Sequence, residues 1–260
     1  YSDAFVAKGL VAAACRFDRQ NITLFLDYLH KVIAAIEDER FQMEEKHALS
    51  MENAKSEPDD FGPRMILLGA AGLLHRCNYS DEAGFADRFI DDVLARYYDT
   101  VSGLLLNVPE QDSCNLGHGI EFCGFAFEHL ALRPDDSRIK TLSAILQKSL
   151  EIGLQGPGIA LSISAKTGQA NSQYFPWWQM PEAIRATALG YKLTGEENLI
   201  NLWQKADLAF FDNYWQPIRS FAYQTRTTRG AVDYVPATPD LDPGYHTGLS
   251  LLSAIRAAQE

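Results

Sequence analysis

The chain has 260 residues, 47% of them hydrophobic, and a formal net charge of -11 at pH 7. It is long enough to bury a sizeable core as a single domain over 1–260. The acidic balance argues against a nucleic-acid or anionic-membrane partner, since either would select a basic face. Its four cysteines, Cys15, Cys77, Cys114 and Cys123, show no CxxC or close metal spacing. Reduced thiols in a cytoplasmic protein are therefore expected, with no metal site.

In chain order, helical periodicity is nearly everywhere. A mostly apolar segment near 3–16 is followed by the stripe Phe25, Leu29, Val32, Ile33 and Ile36. A second apolar segment at 64–77 precedes the stripe Phe85, Phe89, Ile90, Val93, Leu94 and Tyr97. A third, 117–132, precedes Ile139, Leu142, Ile145, Leu146 and Leu150. A fourth, 177–192, precedes Leu199, Leu202, Trp203, Ala206 and Phe210, and a fifth lies at 245–258. Each stripe follows i, i+3, i+4, i+7 and predicts a helix with one buried face. The segments between them are apolar on most sides and predict helices buried on most sides. Alternating inner and outer helices, about nine in all, suit a ring of helical hairpins better than a simple bundle. The alternative, an open solenoid, lacks a repeat of fixed period.

The connections alternate too. Those running from outer to inner helices are long and rich in Gly, Pro, Ser and Asp, at 52–63, 107–116, 153–176 and 216–244. Those running from inner to outer helices are tight, as in "LRPDDS" at 132–137 and "LTGEE" at 193–197, where Gly195 is placed as a helix C-cap. Two long loops hold alternating stretches, "GIALSISAKTG" and "SFAYQTRTTRGAVDYV", that predict small β-hairpins. In such a ring all the long loops emerge at one rim, where function is usually built.

The first turns of the inner helices then converge on that rim. They carry Met65, then His118 and Glu121, then Trp177, Trp178 and Glu182, then Tyr245 and His246. Two of only six histidines occupy equivalent positions after long loops; His30, His47, His75 and His129 read as structural or solvated. The plain reading makes His118 a capped core histidine, Glu121 a first-turn residue favoured by the helix dipole, and Arg185 the i+3 partner of Glu182. The functional reading makes Trp177 and Trp178, just after Pro176, apolar faces for a pyranose ring, with Glu182 sharing the face of Trp178.

"NLGHGIEFCGFAFEHL", "FPWWQMPEAIRATALGYKLTGEENLI" and "GYHTGLSLLSAIRA" occur in an order and spacing that resemble the N-acylglucosamine 2-epimerase superfamily, which includes cellobiose 2-epimerases and aldose–ketose isomerases. "YSDAFVAKGL" and "GPRMILLGAAGLL" resemble its earlier helices, so the resemblance spans essentially the whole chain. It implies an all-α (α/α)6 barrel. Family chains are longer at the N-terminus, and this chain opens at Tyr1 already in a helical pattern, so the first helices of the family fold are expected to be missing.

By position, the resemblance makes His118 and His246 the acid/base pair, and Glu121 and Glu182 the carboxylates that orient them and hold the sugar. Trp177, Trp178 and Tyr245 would line the sugar. Small-molecule sugars are the expected partners, with a homodimer possible and no cofactor. The chain departs from the family at Ile66, where the isomerase and cellobiose-epimerase branches carry a further histidine, and at Leu249, where the family often has arginine. Sugar 2-epimerase, aldose–ketose isomerase and non-catalytic sugar binder remain open at this stage, as does a glycoside hydrolase using Glu121 and Glu182 as acid and base.

Overall fold

The computed structural model describes residues 1–41, 50, 52, 60–234 and 243–259. His47, residues 53–59 of the loop 52–63 and residues 235–242 of the loop 216–244 lie outside the described residues. Two compact units are present: Tyr1–Tyr97 with Asn107–Pro109, and Tyr98–Leu106 with Glu110–Glu260.

The first unit holds α1 (Ser2–Phe17), α2 (Ile22–Glu37), α3 (Gly62–Arg76) and α4 (Phe85–Arg96). Most of each stripe is core. Leu29, Val32, Ile33 and Ile36 are buried in α2, with Leu26 buried in place of the half-buried Phe25. Phe85, Phe89, Ile90 and Val93 are buried in α4, where Leu94 is half-buried. In α3 every residue from Gly62 to Gly72 is buried, as its all-round apolar sequence predicts. That buries Arg64, which Asp92 compensates through an ion pair at 2.7 Å.

The second unit contains α5 (Leu116–Leu130), α6 (Asp136–Gly153), α7 (Gln179–Thr194), α8 (Glu197–Asn213) and α9 (Ser250–Gln259). Helix α5 packs on α6 and α7, and α7 also packs on α8 and α9. Every residue from Gln179 to Ala188 in α7 is buried, and so is every residue of α5 except His118 and Glu128. By contrast α6 and α8 bury one face each, through Ile139, Leu142, Ile145 and Leu146, and through Leu199, Leu202, Ala206 and Phe210. Helix ends are set by local chemistry. Asn115 caps α5 by accepting from the His118 amide, Asp135 caps α6 by accepting from Arg138, and Gly195 ends α7 at φ 68°.

The terminal helices differ from expectation. The prediction that α1 is buried on most sides is corrected: Ala4, Ala7, Val11 and Ala14 are buried, but Phe5 is 40% and Val6 50% exposed. In α9, Ser250 and Ala254 are buried while Leu252 is 44% and Ile255 53% exposed. Each has helical neighbours on one side within its unit, α1 on α2 and α3, and α9 on α7. The last helix also begins differently, as a π-helical segment over Pro243–Leu249 that carries Tyr245 and His246. Such wide turns are rare and re-aim side chains locally.

The long loops of the second unit hold short strands. β1 (Tyr98–Asp99) pairs with β2 (Leu104–Leu105) and β8 (Trp215–Gln216) with β9 (Phe221–Ala222), and further pairs stitch the loops to one another. β3 (Ser113–Cys114) pairs with β6 (Ile163–Ser164), joining the loop before α5 to the loop before α7. β7 (Phe175–Pro176) pairs with β10 (Thr225–Thr227), joining the loop before α7 to the loop after α8. Asp112 reinforces the first seam by accepting from the Lys166 amide at 2.9 Å and from the Ser164 hydroxyl at 2.8 Å. The predicted second hairpin is found, β10 with β11 (Gly230–Ala231). The predicted first hairpin divides. β5 (Gly158–Ile159) turns back onto β4 (Leu154–Gln155), and Ile163 bridges Ala170 while β6 reaches across to β3.

Candidate active site

All seven predicted site residues lie in the second unit, at the starts of α5 and α7 and in the π segment before α9. The seam of β7 with β10 delivers Trp177, whose amide donates to the Gln224 carbonyl at 3.0 Å before the chain turns into α7. Trp178 then lies against the first turn of α5. That approach requires glycine at 117, because a Cβ there would stand 2.8 Å from Cζ3 of the Trp178 ring and 2.6 Å from Gln179 Cγ.

The Trp178 indole is where the two histidines meet. The His118 ring centroid lies 5.7 Å from it and the His246 centroid 5.2 Å, both tilted. Trp177 meets the His246 ring edge-on at 6.0 Å and donates its indole N–H to the Thr247 hydroxyl at 3.3 Å. Trp177 is 3% and Trp178 9% exposed. The indoles thus spend most of their faces on protein.

The carboxylates are divided between partners. Glu182, 1% exposed, meets His246 Nδ1 at 3.0 Å and accepts from the Ser250 hydroxyl at 3.1 Å, both on Oε1. Its Oε2 faces Arg185 at 2.5 Å. Glu121, also 1% exposed, accepts from the Tyr245 hydroxyl at 3.4 Å. Arg185, the plain partner of Glu182, is therefore present, and His246 shares the carboxylate with it. Ser250 was missed by sequence reading, although it lies four residues after His246 on the same path and so within one helical turn.

Electrostatics follow from this arrangement. Burial alone would raise the Glu182 carboxyl, but the charge of Arg185 and the hydrogen bond from His246 outweigh it and hold the group below the usual carboxylate range. His118 keeps part of its surface open yet is so surrounded by protein that burial, with the charge of His246 next, pushes its imidazole down to about 4. It is neutral at physiological pH. Tyr245 is held well above its ordinary value, first by burial and then by Glu121 and Glu182, and stays a hydroxyl donor.

One oxygen or nitrogen each from Glu121, Glu182 and His246 lies within 4.8 Å of the others, a spacing a metal ion could use. The residues present do not fit one. The Arg185 guanidinium puts a fixed positive charge 2.5 Å from Glu182, where a dication would be repelled, and hydrogen bonds already occupy Oε1.

The other described histidines have structural partners or positions: His30 meets Glu82 at 2.9 Å, His75 meets Ser80 at 3.0 Å, and His129 is fully buried. All four cysteines are free thiols. Among the described residues no helix is long and apolar enough to cross a membrane.

No family model matches the sequence, and no curated protein sequence matches it. Solved structures do. Cellobiose 2-epimerase from Bacillus thermoamylovorans B4167 matches with a TM-score of 0.77 at 18% identity, over 98% of this chain and 71% of that one. A D-mannose isomerase matches with a TM-score of 0.76 at 14% identity, over 98% and 71%. A sugar epimerase from a ruminal bacterium matches with a TM-score of 0.74 at 14% identity, over 97% and 71%. The chain therefore has the all-α fold of these sugar epimerases and of the isomerase, as its resemblance to the N-acylglucosamine 2-epimerase superfamily implies.

Proposed function

We propose that the protein is a carbohydrate epimerase that inverts C2 of an open-chain aldose or N-acylhexosamine, with His118 and His246 as the acid/base pair. Inversion requires a proton to leave C2, next to the carbonyl, and another to return to the opposite face of the planar enediolate. It needs two groups that exchange protons near neutral pH, one on each side, and imidazole is the side chain suited to both roles. The observation that carries the reading is the placement of both imidazoles against one indole, from two different helical segments. His118 is neutral at physiological pH, with its basicity lowered by burial. His246 is backed by Glu182, which can take up part of the positive charge the ring gains on protonation.

The burial of the carboxylates supports this reading over glycoside hydrolysis. Glu121 and Glu182 are each 1% exposed and Glu182 is held by Arg185, so neither is free to reach a glycosidic oxygen. They serve instead as orienting groups, Glu182 for His246 and Glu121 for Tyr245. Trp178 forms the wall against which both rings rest.

An aldose–ketose isomerase is the second reading, favoured by the likeness to a D-mannose isomerase. It needs only one base to move a proton between C1 and C2, so the same residues suffice. The test is NMR of a panel of aldoses, N-acetylhexosamines and β-1,4-disaccharides incubated with the protein in D2O. Deuterium at C2 with the C2-inverted aldose supports the epimerase, and a ketose product supports the isomerase. Unaltered sugars across the panel overturn both.

A further inference from the structure

The Glu182 carboxylate divides its two oxygens between different tasks. Oε1 takes the His246 ring at 3.0 Å and the Ser250 hydroxyl at 3.1 Å, while Oε2 faces the Arg185 guanidinium at 2.5 Å. Arg185 is 4% exposed and rises from α7 one turn after Glu182. Its guanidinium lies over the Phe125 ring, 4.0 Å from the centroid. The room for it exists because residue 124 is glycine: a Cβ there would stand 3.1 Å from Nε and 3.3 Å from an Nη atom. Glu121 and Glu128 of α5 and Tyr245 of the π segment also act on it electrostatically.

We infer that Arg185 is a positioning residue for His246: by occupying Oε2 of Glu182 it leaves Oε1 to accept the Nδ1 proton, so that Nε2 presents the lone pair. The inference rests on the proposed role of His246. A buried carboxyl without a counter-charge takes up a proton, as desolvation disfavours its charged form. It would then donate that proton to Nδ1 and leave the neutral ring protonated at Nε2, blocked as a base on the side away from Glu182. With the guanidinium in place the carboxylate can only accept, and the ring can only be the Nδ1–H tautomer when neutral. Two features suit arginine to the task. It does not lose its proton in proteins, and its guanidinium lies over Phe125 while holding its charge beside the carboxylate. Arg185 is placed by Glu182, Phe125 and Gly124, and acts on the reacting carbon only through His246.

The test reads the tautomer directly. Protein with ¹⁵N-labelled histidine is studied by NMR at a pH where His246 is neutral, with the signal assigned by its loss in His246→Asn. The wild type is expected to show Nδ1 protonated and Nε2 bare, Arg185→Met to move the proton to Nε2, and Arg185→Lys to keep it on Nδ1. In turnover, Arg185→Met should lose kcat with KM unchanged. A folded Arg185→Met that keeps the Nδ1–H tautomer overturns the inference, as does a wild type found as Nε2–H. Should Arg185→Met not fold, the ¹³C shift of the Glu182 carboxyl in the wild type decides. Ionisation retained below the ordinary glutamate range supports the inference, and protonation at or above that range overturns it. The outcomes separate the two readings. Sugar turnover with a tautomer indifferent to Arg185 overturns this inference alone, whereas an Arg185-dependent tautomer without proton exchange at C2 overturns the proposed function alone.

Discussion

Two glycines in the first turns of α5 respond oppositely to the same substitution. Both have ordinary helical backbone, so alanine is conformationally allowed at each and helix propensity favours it by up to about 1 kcal/mol. At Gly119 the new Cβ would meet, among the described residues, only Leu105, at 3.9 Å, an ordinary contact. At Gly117 it would meet Gln179 Cγ at 2.6 Å and Trp178 Cζ3 at 2.8 Å, roughly 1 Å closer than carbon atoms pack. Trp178 is 9% exposed and Gln179 fully buried, so neither can swing into solvent, and overpacking of this kind costs about 1–3 kcal/mol. Gly117→Ala should therefore lose about 1–2 kcal/mol net, lowering Tm by about 2–8 °C. Gly119→Ala should leave Tm unchanged or raise it by up to about 4 °C. Differential scanning calorimetry with tryptophan fluorescence checks both, since the Gly117 variant must also shift the indole that holds the two imidazoles. A Gly117→Ala protein as stable as Gly119→Ala, with unchanged emission, refutes the packing argument.

Further outcomes follow from the charges. Glu182→Gln leaves the buried Arg185 short of its nearest counter-charge and should cost about 3–5 kcal/mol near neutral pH, toward the lower end because Glu121 also acts on the guanidinium. Glu182 has a lowered value in the folded chain, so its contribution is present above the unfolded value near 4.3 and is lost as pH falls through the folded value; urea melts should show the gap to wild type closing in acid. His118 is also lowered, from 6.5 to about 4. In that window the unfolded chain takes a proton that the folded chain refuses, so wild-type stability should fall as pH drops from 6.5 toward 4, and His118→Asn should flatten that slope in the same melts. Tyr245→Phe removes a donor from buried Glu121 across a long 3.4 Å contact, and equilibrium unfolding should register about 1 kcal/mol.

Much of this was legible because burial obeys periodicity. The stripes of α2, α4, α6 and α8 are set by apolar spacing alone, and the all-round apolar sequences of α3, α5 and α7 match their burial. The same rule misreads α1 and α9, because apolar composition states what a helix could bury and not how many neighbours its unit supplies. The grouping of the candidate residues in one unit was legible, since long loops delivering helix N-termini marked them before any geometry. Their pairing was not. Glu182 serves His246 because a π-helical turn after Pro243 aims the ring at α7, and nothing in "GYHTGLS" distinguishes a π turn from an α turn. Nothing in the sequence marks Gly117, whose necessity appears only once Trp178 packs across it from another helix. The seams of β3 with β6 and β7 with β10 are too short to carry an alternation signal of their own.

The central claim is that His118 and His246 serve opposite faces of one carbon. Its most direct measurement follows isotope and stereochemistry together, by NMR in D2O, in His118→Asn and His246→Asn with a sugar the wild type converts. The wild type should place deuterium at C2 with inversion. Each variant should form no C2-inverted product, and the variant that retains the base facing the substrate's own C2 proton should still exchange that proton without inverting it. Either variant inverting C2 near the wild-type rate would contradict the account and leave that histidine a packed neighbour of Trp178.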